Sequence, residues 1–479
     1  MNKEIRQALN KFFGYSYFLK GQEDIIHSVV GKKKNCLVMM PTGSGKSLCY
    51  QLPALMLEGG TVVISPLIAL MQDQVDALHS KNIPATFINS SLKKKEREER
   101  LRGFIEGIYK LLYVTPERFR IKAFVDKIKS AKIDLLAVDE AHCISYWGHD
   151  FRPDYSRIAE FRNIIGNPLT IALTATATPD VQADIIDKLG LKPKEIEIFN
   201  HGIRRSNLRL ETRDVYDDDD KVNAILETIE NYPGSGIIYF SLIKTLDIFS
   251  GYLIKRRIPH IIYHGKVEKK ERKRAQRTFL ENDNVLVLAT NAFGMGIDKP
   301  DIRFVIHAEM PGSIESYYQE IGRAGRDGKS SLCLLLYSEQ DLSIQMDFIQ
   351  WSNPDSKFYG RLYALLESDI EKVNSMGLEY LREELVFKNR NDFRLETALG
   401  MLDRFGTTEG DVDKRNLRLT GVVPERLFDA DWLDEKILYD RKRLLSVVQY
   451  FKEEGCRRDF ISRYFGIKKP EECGNCDLC

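Results

Sequence analysis

Short apolar runs alternate with helical stretches twice along this chain. The first series lies at residues 36–40, 61–65, 110–114, 135–138 and 169–173, and the second at 236–240, 260–263, 285–289, 304–307 and 331–336. Runs that are apolar throughout, rather than alternating with polar residues, suit strands buried on both faces, and the helical stretches between them supply the crossovers that parallel strands require. The pattern predicts an α/β chain with two parallel-sheet domains, over 1–206 and 207–339. Between them, residues 200–207 are polar and basic and read as a hinge.

Beyond the second series the pattern changes. Residues 392–405 place Phe393, Leu395, Ala398, Leu399 and Leu402 on one helical stripe, and 407–422 alternate charged and apolar residues as a two-stranded ribbon would. A winged helix within 340–430 fits this succession, and so does a helical spacer bracing the two sheet domains. Residues 432–451 read as a longer helix, basic at Arg441-Lys442-Arg443, within a last module over 431–479. Upstream, the run Asp217 to Asp220 precedes a helical pattern at 222–229 and is expected to be its acidic start, favoured by the helix dipole. The basic run Lys269, Lys270, Arg272, Lys273, Arg274 and Arg277 suits either phosphate contact or a solvated helix face.

Composition narrows the class. The chain has 479 residues, 43% of them apolar, which is enough for several packed cores and outside the disordered range. A formal net charge of +1 announces no nucleic-acid partner in bulk, so any such partner must be met by local basic tracks. The opening residues lack the apolar core of a signal peptide, and no apolar run approaches bilayer length, so a cytoplasmic protein without a membrane partner is expected.

The eight cysteines divide in half. Cys36, Cys49, Cys143 and Cys333 stand singly in or beside apolar segments, where cysteine behaves as a small hydrophobe. Cys456, Cys473, Cys476 and Cys479 form C-x16-C-x2-C-x2-C, a spacing that tetrahedral Zn²⁺ accepts. Disulfides are the competing reading, and a cytosolic chain argues against them. A site with four thiolates and no open position would be structural.

Two further segments carry chemistry. Pro41-Thr42-Gly43-Ser44-Gly45-Lys46-Ser47 sits between an apolar run and a helical pattern, which is the setting of a phosphate loop. Its glycines let backbone amides turn toward phosphates, Lys46 reaches the terminal phosphates, and the Ser47 hydroxyl can ligate Mg²⁺. The strict pattern has glycine where Met40 stands. Asp139 and Glu140 follow the apolar run 135–138, so a buried strand delivers two carboxylates to its carboxyl end, one suited to holding Mg²⁺ and the other to orienting the attacking water. Trp147, Phe151 and Tyr155 then recur every four residues among His149, Arg152 and Arg157, a mixture suited to stacking on bases and holding phosphates. Near the end of the second series, Gln319 to Gly328 carries Arg323 and Arg326 among small residues, a geometry that suits an arginine finger.

Together these residues resemble the RecQ-type DNA helicases of superfamily two. Phe13-Gly14-Tyr15 and Gln22 are similar to that family's adenine-recognition segment, although Leu19-Lys20 replaces its usual Arg-Pro. Residues 42–47 match its phosphate loop, Asp139, Glu140 and His142 its DEAH box, and Thr174-Ala175-Thr176-Ala177 its coupling motif. Segments 65–70 and 290–300, with Ser65, Asn291 and Met295, resemble those that track the DNA backbone, and Trp147, Phe151 and Arg152 fall in its aromatic loop. Gln319, Arg323 and Arg326 match the last motif, with Arg326 in the finger position, and the C-terminal cysteines match the zinc module.

The resemblance implies two RecA-like domains, ATP, Mg²⁺ and Zn²⁺ as cofactors, and single-stranded and forked DNA as partners. It implies 3′ to 5′ translocation with duplex unwinding in repair or recombination. A nucleic-acid-stimulated translocase that does not separate strands would use the same motifs. Typical members place a winged helix after the zinc module. A chain ending at Cys479 is expected to be a short form without it.

Overall fold

The apolar runs divide the first core into two layers because side chains alternate across a strand. The computed structural model describes residues 2–41, 43–66, 68–145, 153–200, 205–294, 297–385, 392–467 and 473–479. Its first sheet contains β1 (Asn35–Met39), β2 (Gly60–Ile64), β3 (Ala85–Ile88), β4 (Leu111–Val114), β5 (Ile133–Val138), β6 (Leu169–Thr174) and β7 (Ile196–Asn200). Leu37, Met39, Val62, Ile64, Leu136 and Val138 enter one apolar cluster, while Cys36, Val38, Val63, Leu135 and Ala137 enter the other. Both faces are therefore covered, as a parallel sheet requires.

The strands run in the order β3-β4-β2-β5-β6-β1-β7, and every pairing is parallel. This order matters for the chemistry. It sets β5, β6 and β1 side by side, so the segments that follow β5 and β1 leave the same edge of the sheet beside the end of β6.

The second sheet contains β8 (Leu208–Asp214), β9 (Ser235–Tyr239), β10 (Ile261–Tyr263), β11 (Leu286–Ala289), β12 (Ile302–His307) and β13 (Ser331–Tyr337), in the order β10-β11-β9-β12-β13-β8. Its pairings are also parallel. Asp217 caps the following helix, Asp218–Asn231, by accepting from the Asp220 amide, so the acidic run is a helix start as the pattern indicates. Such a cap contributes about 1 kcal/mol.

Three strands differ from the pattern of apolar runs. β3 is a four-residue edge strand, and β7 and β8 alternate polar with apolar residues. β7 also occupies the start of the expected hinge: Asn200 pairs with Met39, so the first part of 200–207 is sheet. Residues 201–204 lie outside the described residues, and 205–207 lead into β8.

Two compact units are present. One comprises Met1–Glu309, Glu315–Tyr337 and Tyr450–Cys479, and contains both parallel sheets and the cysteine module. The other comprises Met310–Ile314 and Ser338–Gln449. In that second unit, helices Glu339–Ser352, Ser356–Met376, Leu378–Leu385 and Arg394–Arg404 precede a small antiparallel ribbon, β14 (Thr408–Glu409) with β15 (Arg418–Leu419).

The ribbon is held by the Asn374 side chain, which accepts from the Leu417 amide at 2.8 Å and donates to its carbonyl at 2.9 Å, as a neighbouring strand would. At its turn Gly410 has φ +102, and an added Cβ would meet the Asn416 carbonyl at 2.2 Å, so only glycine fits. On Arg394–Arg404, Leu395, Ala398 and Leu402 are buried as the stripe predicts, whereas Phe393 is exposed and Met401 buried in its stead. Among the described residues, no helix is long and apolar enough to cross a membrane.

Candidate functional site

The phosphate loop follows β1 and enters helix Leu48–Met56. Gly43 and Gly45 have φ of +76 and +74, conformations that L side chains rarely adopt, so both glycines are required by the turn. Met40, in place of the usual glycine, is buried and its amide donates to the Thr174 carbonyl of β6 at 3.1 Å. The position serves as the last rung of the sheet, which explains why a bulky apolar residue is accepted there. Thr42 lies outside the described residues.

Gln22 braces the loop from outside. Its Nε2 donates to the carbonyls of Ser44 at 3.2 Å and Gly45 at 3.1 Å, and its Oε1 accepts from the Leu19 amide at 2.9 Å. The expected adenine contact of this residue would start from a side chain already aligned on the loop.

Lys46 Nζ is buried without a hydrogen-bond partner, 4.0 Å from Glu140 Oε1. A buried ammonium with no donor satisfied is costly unless an anion meets it, so the loop fits a phosphate. Asp139 continues the sheet, its amide donating to the Ile64 carbonyl at 2.9 Å. Burial pushes the Asp139 carboxyl up to about 6, and the Glu140 charge adds to the shift. A divalent cation would reverse that logic and stabilise the carboxylate. Asp139 and the Ser47 hydroxyl thus supply oxygen donors of the kind Mg²⁺ takes.

Glu140 sits at φ +49, left-handed for a residue with a Cβ, which costs about 1–3 kcal/mol. The turn places its carboxylate near Lys46 rather than back along the strand. His142 Nδ1 lies 3.3 Å from Glu140 Oε2 and 3.0 Å from Thr174 Oγ1. Thr174 Oγ1 also lies 3.1 Å from the Thr176 carbonyl, so one hydroxyl links the histidine ring to the backbone of the segment after β6. His142 therefore ties the acidic pair after β5 to the coupling segment after β6.

The aromatic stretch divides. Tyr155 is fully buried, with its hydroxyl on the Asp139 carbonyl at 3.3 Å, so it is a core residue beneath the acidic pair and cannot stack on a base as its spacing suggested. Trp147, His149, Phe151 and Arg152 lie outside the described residues.

From the second sheet, helix Ile314–Ile321 carries Gln319, which is partly exposed, and leads into Arg323 and Arg326. Arg326 reaches the phosphate loop: a Cβ added at Gly43 would lie 3.3 Å from its Cγ. Its Nη1 donates to Asp298 Oδ1 at 2.6 Å. Arg323 donates to the Gly294 carbonyl and packs so closely on Gly294 that an added Cβ would clash at 2.5 Å. Sequence reasoning assigned no role to Asp298, although it stands within the quoted segment 290–300. Of the expected DNA contacts, Ser65 is buried with its hydroxyl unpartnered, Asn291 is exposed, and Met295 lies outside the described residues.

The four sulfurs of Cys456, Cys473, Cys476 and Cys479 lie within 4.8 Å of one another, as one tetrahedral ion requires. The other four cysteines are buried singly. The C-terminal loop docks along β8, the outer strand of the second sheet. Leu210 bridges in parallel to Cys476, the Asp477 amide donates to the Leu210 carbonyl at 3.0 Å, and Asp477 Oδ2 accepts from the Thr212 amide at 3.0 Å. Buried Arg457 locks this arrangement, its Nε on Asp477 Oδ1 at 3.0 Å and its Nη2 on Thr212 Oγ1 at 2.7 Å. This cysteine-bearing loop covers an edge that would otherwise invite pairing with another chain.

Comparison with known proteins agrees with this geometry. The chain matches three families: DEAD/DEAH box helicase over residues 19–185, helicase conserved C-terminal domain over 220–328, and RecQ zinc-binding over 428–479. It is 38% identical to the ATP-dependent DNA helicase RecQ of Bacillus subtilis over all of this chain and 67% of the relative. It is 40% identical to the probable ATP-dependent DNA helicase RecS of the same organism, over 77% of this chain and 74% of the relative. Among solved structures, the helicase Lhr of Mycobacterium smegmatis bound to ssDNA and AMP-PNP shares the fold at a TM-score of 0.54 and 19% identity, over 92% of this chain and 61% of that one. With both sheets, the phosphate loop, the DEAH box and the cysteine module in place, the chain belongs to the RecQ family of ATP-dependent DNA helicases.

Proposed function

We propose that this protein hydrolyses ATP to move 3′ to 5′ along one DNA strand and to separate the duplex at a fork, in DNA repair or recombination. The observation that carries the reading is the approach of Arg326, from the second sheet, to Gly43 of the first sheet's phosphate loop. A site built from both sheets can convert nucleotide turnover into relative movement of the two.

In this reading Lys46 and the loop amides hold the phosphates, Gln22 reads the adenine, Glu140 orients the attacking water, and Arg326 meets the charge that develops on the transferred phosphoryl group. Mg²⁺ held by Ser47 and Asp139 would neutralise phosphate charge. Gln319 and Arg323 act with Arg326 in the same motif. Arg326 must exchange Asp298 for phosphate oxygens, a replacement of one anionic partner by another. His142 and Thr174 pass the state of Glu140 toward the DNA-facing segments. Ser65, Asn291, Met295, Trp147, Phe151 and Arg152 contact the strand, with the phosphate backbone supplying most of the affinity.

The ribbon 408–419 and helix Arg394–Arg404 support a winged-helix element ahead of the zinc module. Strand displacement on forked DNA with 3′ or 5′ single-stranded arms, with and without ATP, tests the reading. Displacement that needs ATP and a 3′ arm is expected. Robust DNA-stimulated hydrolysis with no displacement on either fork would assign the protein to translocation alone.

A further inference from the structure

The residues that lead into β8 carry two polar side chains that the chemistry above does not use. Arg205 Nη1 donates to the Gly322 carbonyl at 3.3 Å, and its Nη2 donates to the carbonyls of Ala324 at 2.7 Å and Gly325 at 2.8 Å. Asn207 Nδ2 donates to the carbonyls of Gly325 at 2.7 Å and Lys329 at 2.9 Å. Arg205 Nε donates to Asn207 Oδ1 at 3.4 Å, which orients the amide with its NH₂ toward those carbonyls. The next residue after this cradle is Arg326.

The receiving backbone is demanding. Helix Ile314–Ile321 ends just before it, and its last carbonyls are met by the amides that follow, Gly322 on Tyr318 at 3.1 Å, Arg323 on Glu320 at 3.3 Å and Ala324 on Ile321 at 3.0 Å, while the carbonyls of Gly322, Ala324 and Gly325 lie past its last turn. The Arg205 guanidinium answers these three post-helical carbonyls at once because its five donors are fixed in one planar fork, and its charge complements the negative end of the nearby helix dipole. Gly325 then turns at φ +53, and an added Cβ would stand 2.5 Å from Asn207 Nδ2. The turn is closed on its other side by the Gly325 amide on the Ile302 carbonyl at 2.9 Å.

We propose that Arg205 and Asn207 are positioning residues for the arginine finger. They hold the Gly322–Gly325 backbone so that Arg326 reaches the phosphate loop, and they place this control on the chain that joins the two sheets. A change in the path of that joining chain is transmitted to the finger through five hydrogen bonds to backbone carbonyls. Misplacement of a reacting group by about 1 Å can cost about 10²-fold in rate. The inference rests on the assignment of Arg326 as the finger.

The test is a double-substitution cycle in the full chain. ATP turnover stimulated by single-stranded DNA is measured for Arg205→Gln, Arg205→Lys and Asn207→Asp, each alone and combined with Arg326→Ala. Thermal unfolding and zinc content are followed in parallel. Arg205→Gln should lower kcat by about tenfold or more while KM for ATP stays within about twofold, because the loop that binds ATP is untouched. Arg205→Lys should recover part of the loss. In the Arg326→Ala background Arg205→Gln should add almost nothing, since its effect passes through the side chain already removed.

Unchanged kcat in Arg205→Gln would overturn the proposal. So would an equal further loss in the Arg326→Ala background, which would mark Arg205 as a support of the fold alone. Asn207→Asp, which sets a carboxylate against two carbonyls with Arg205 in place, carries the same expectation and the same reversal, so a poorly folding Arg205 variant does not shield the idea. Full turnover in Arg326→Ala alone would instead remove the finger assignment itself.

Discussion

Arg326 packs its aliphatic stem on Gly43, so closely that a Cβ at position 43 would stand 3.3 Å from Arg326 Cγ. The contact joins a residue after the last helix of the second sheet to a residue of the phosphate loop on the first. Gly43 also turns at φ +76. Both constraints act together, one steric and one conformational.

Gly43→Ala should therefore impair ATP turnover more than it impairs folding. The loop must shift to accept the Cβ, and the finger must shift with it. Steady-state hydrolysis in the presence of single-stranded DNA is expected to fall about tenfold or more, while the thermal midpoint stays near that of the parent. Turnover equal to the parent would show that the contact is not maintained during the cycle.

Lys46→Ala and Glu140→Gln should each reduce ATP hydrolysis by about 10²-fold or more, for different reasons. The first removes the buried ammonium that has no hydrogen-bond partner. The second retains the shape of the side chain but removes the charge 4.0 Å from that ammonium. Nucleotide binding separates the two: a fluorescent ATP analogue should lose affinity for the Lys46 variant and retain it for the Glu140 variant.

Thr174→Val should weaken coupling between DNA and hydrolysis rather than hydrolysis itself. It removes the hydroxyl that bonds to His142 Nδ1 at 3.0 Å with little change of volume. Basal ATP hydrolysis is expected to persist, and its stimulation by single-stranded DNA to fall. Parallel titrations with and without DNA decide this, and an unchanged ratio would sever the proposed link.

One Zn²⁺ per chain is expected by metal analysis, bound by Cys456, Cys473, Cys476 and Cys479. Chelation or Cys476→Ser should lower thermal stability and promote self-association, because the loop along β8 would release Arg457 from Asp477 and bare the sheet's edge. Differential scanning fluorimetry and light scattering give the two readouts. A metal-free protein with the parent's midpoint would contradict the structural role.

Lys414→Ala with Arg415→Ala tests the ribbon as a DNA-contacting wing. Both residues stand at its turn, where Lys414 pairs with its neighbour Asp411 at 2.8 Å on the surface, and Arg415 takes φ +56. Duplex affinity should fall and the slope of log affinity against log salt should flatten by about two units at most, with single-strand-stimulated hydrolysis retained. An unchanged slope would favour a helical spacer.

The reach of sequence reasoning follows from the range of the interactions involved. Phosphate-loop glycines, the acidic pair after an apolar run and the cysteine spacing are local patterns, because a turn, a strand end and a metal loop are each encoded by neighbours in the chain. The apolar runs revealed ten of the strands for the same reason: a buried parallel strand leaves a continuous apolar trace. β3, β7 and β8 left no such trace. β7 and β8 are polar on alternate residues, and β8 is completed on its outer side by a loop that arrives some 260 residues later.

Long-range packing alone settled the rest. Periodicity grouped Tyr155 with Trp147 and Phe151, yet burial under Asp139 sets its role, and burial depends on the whole sheet. Likewise no spacing rule connects Arg326 with Gly43, or Arg205 with the carbonyls of Gly322 to Gly325. The Arg205 contacts depend on strand order, which sets β13 beside β8, and on backbone oxygens, whose positions no side-chain pattern records.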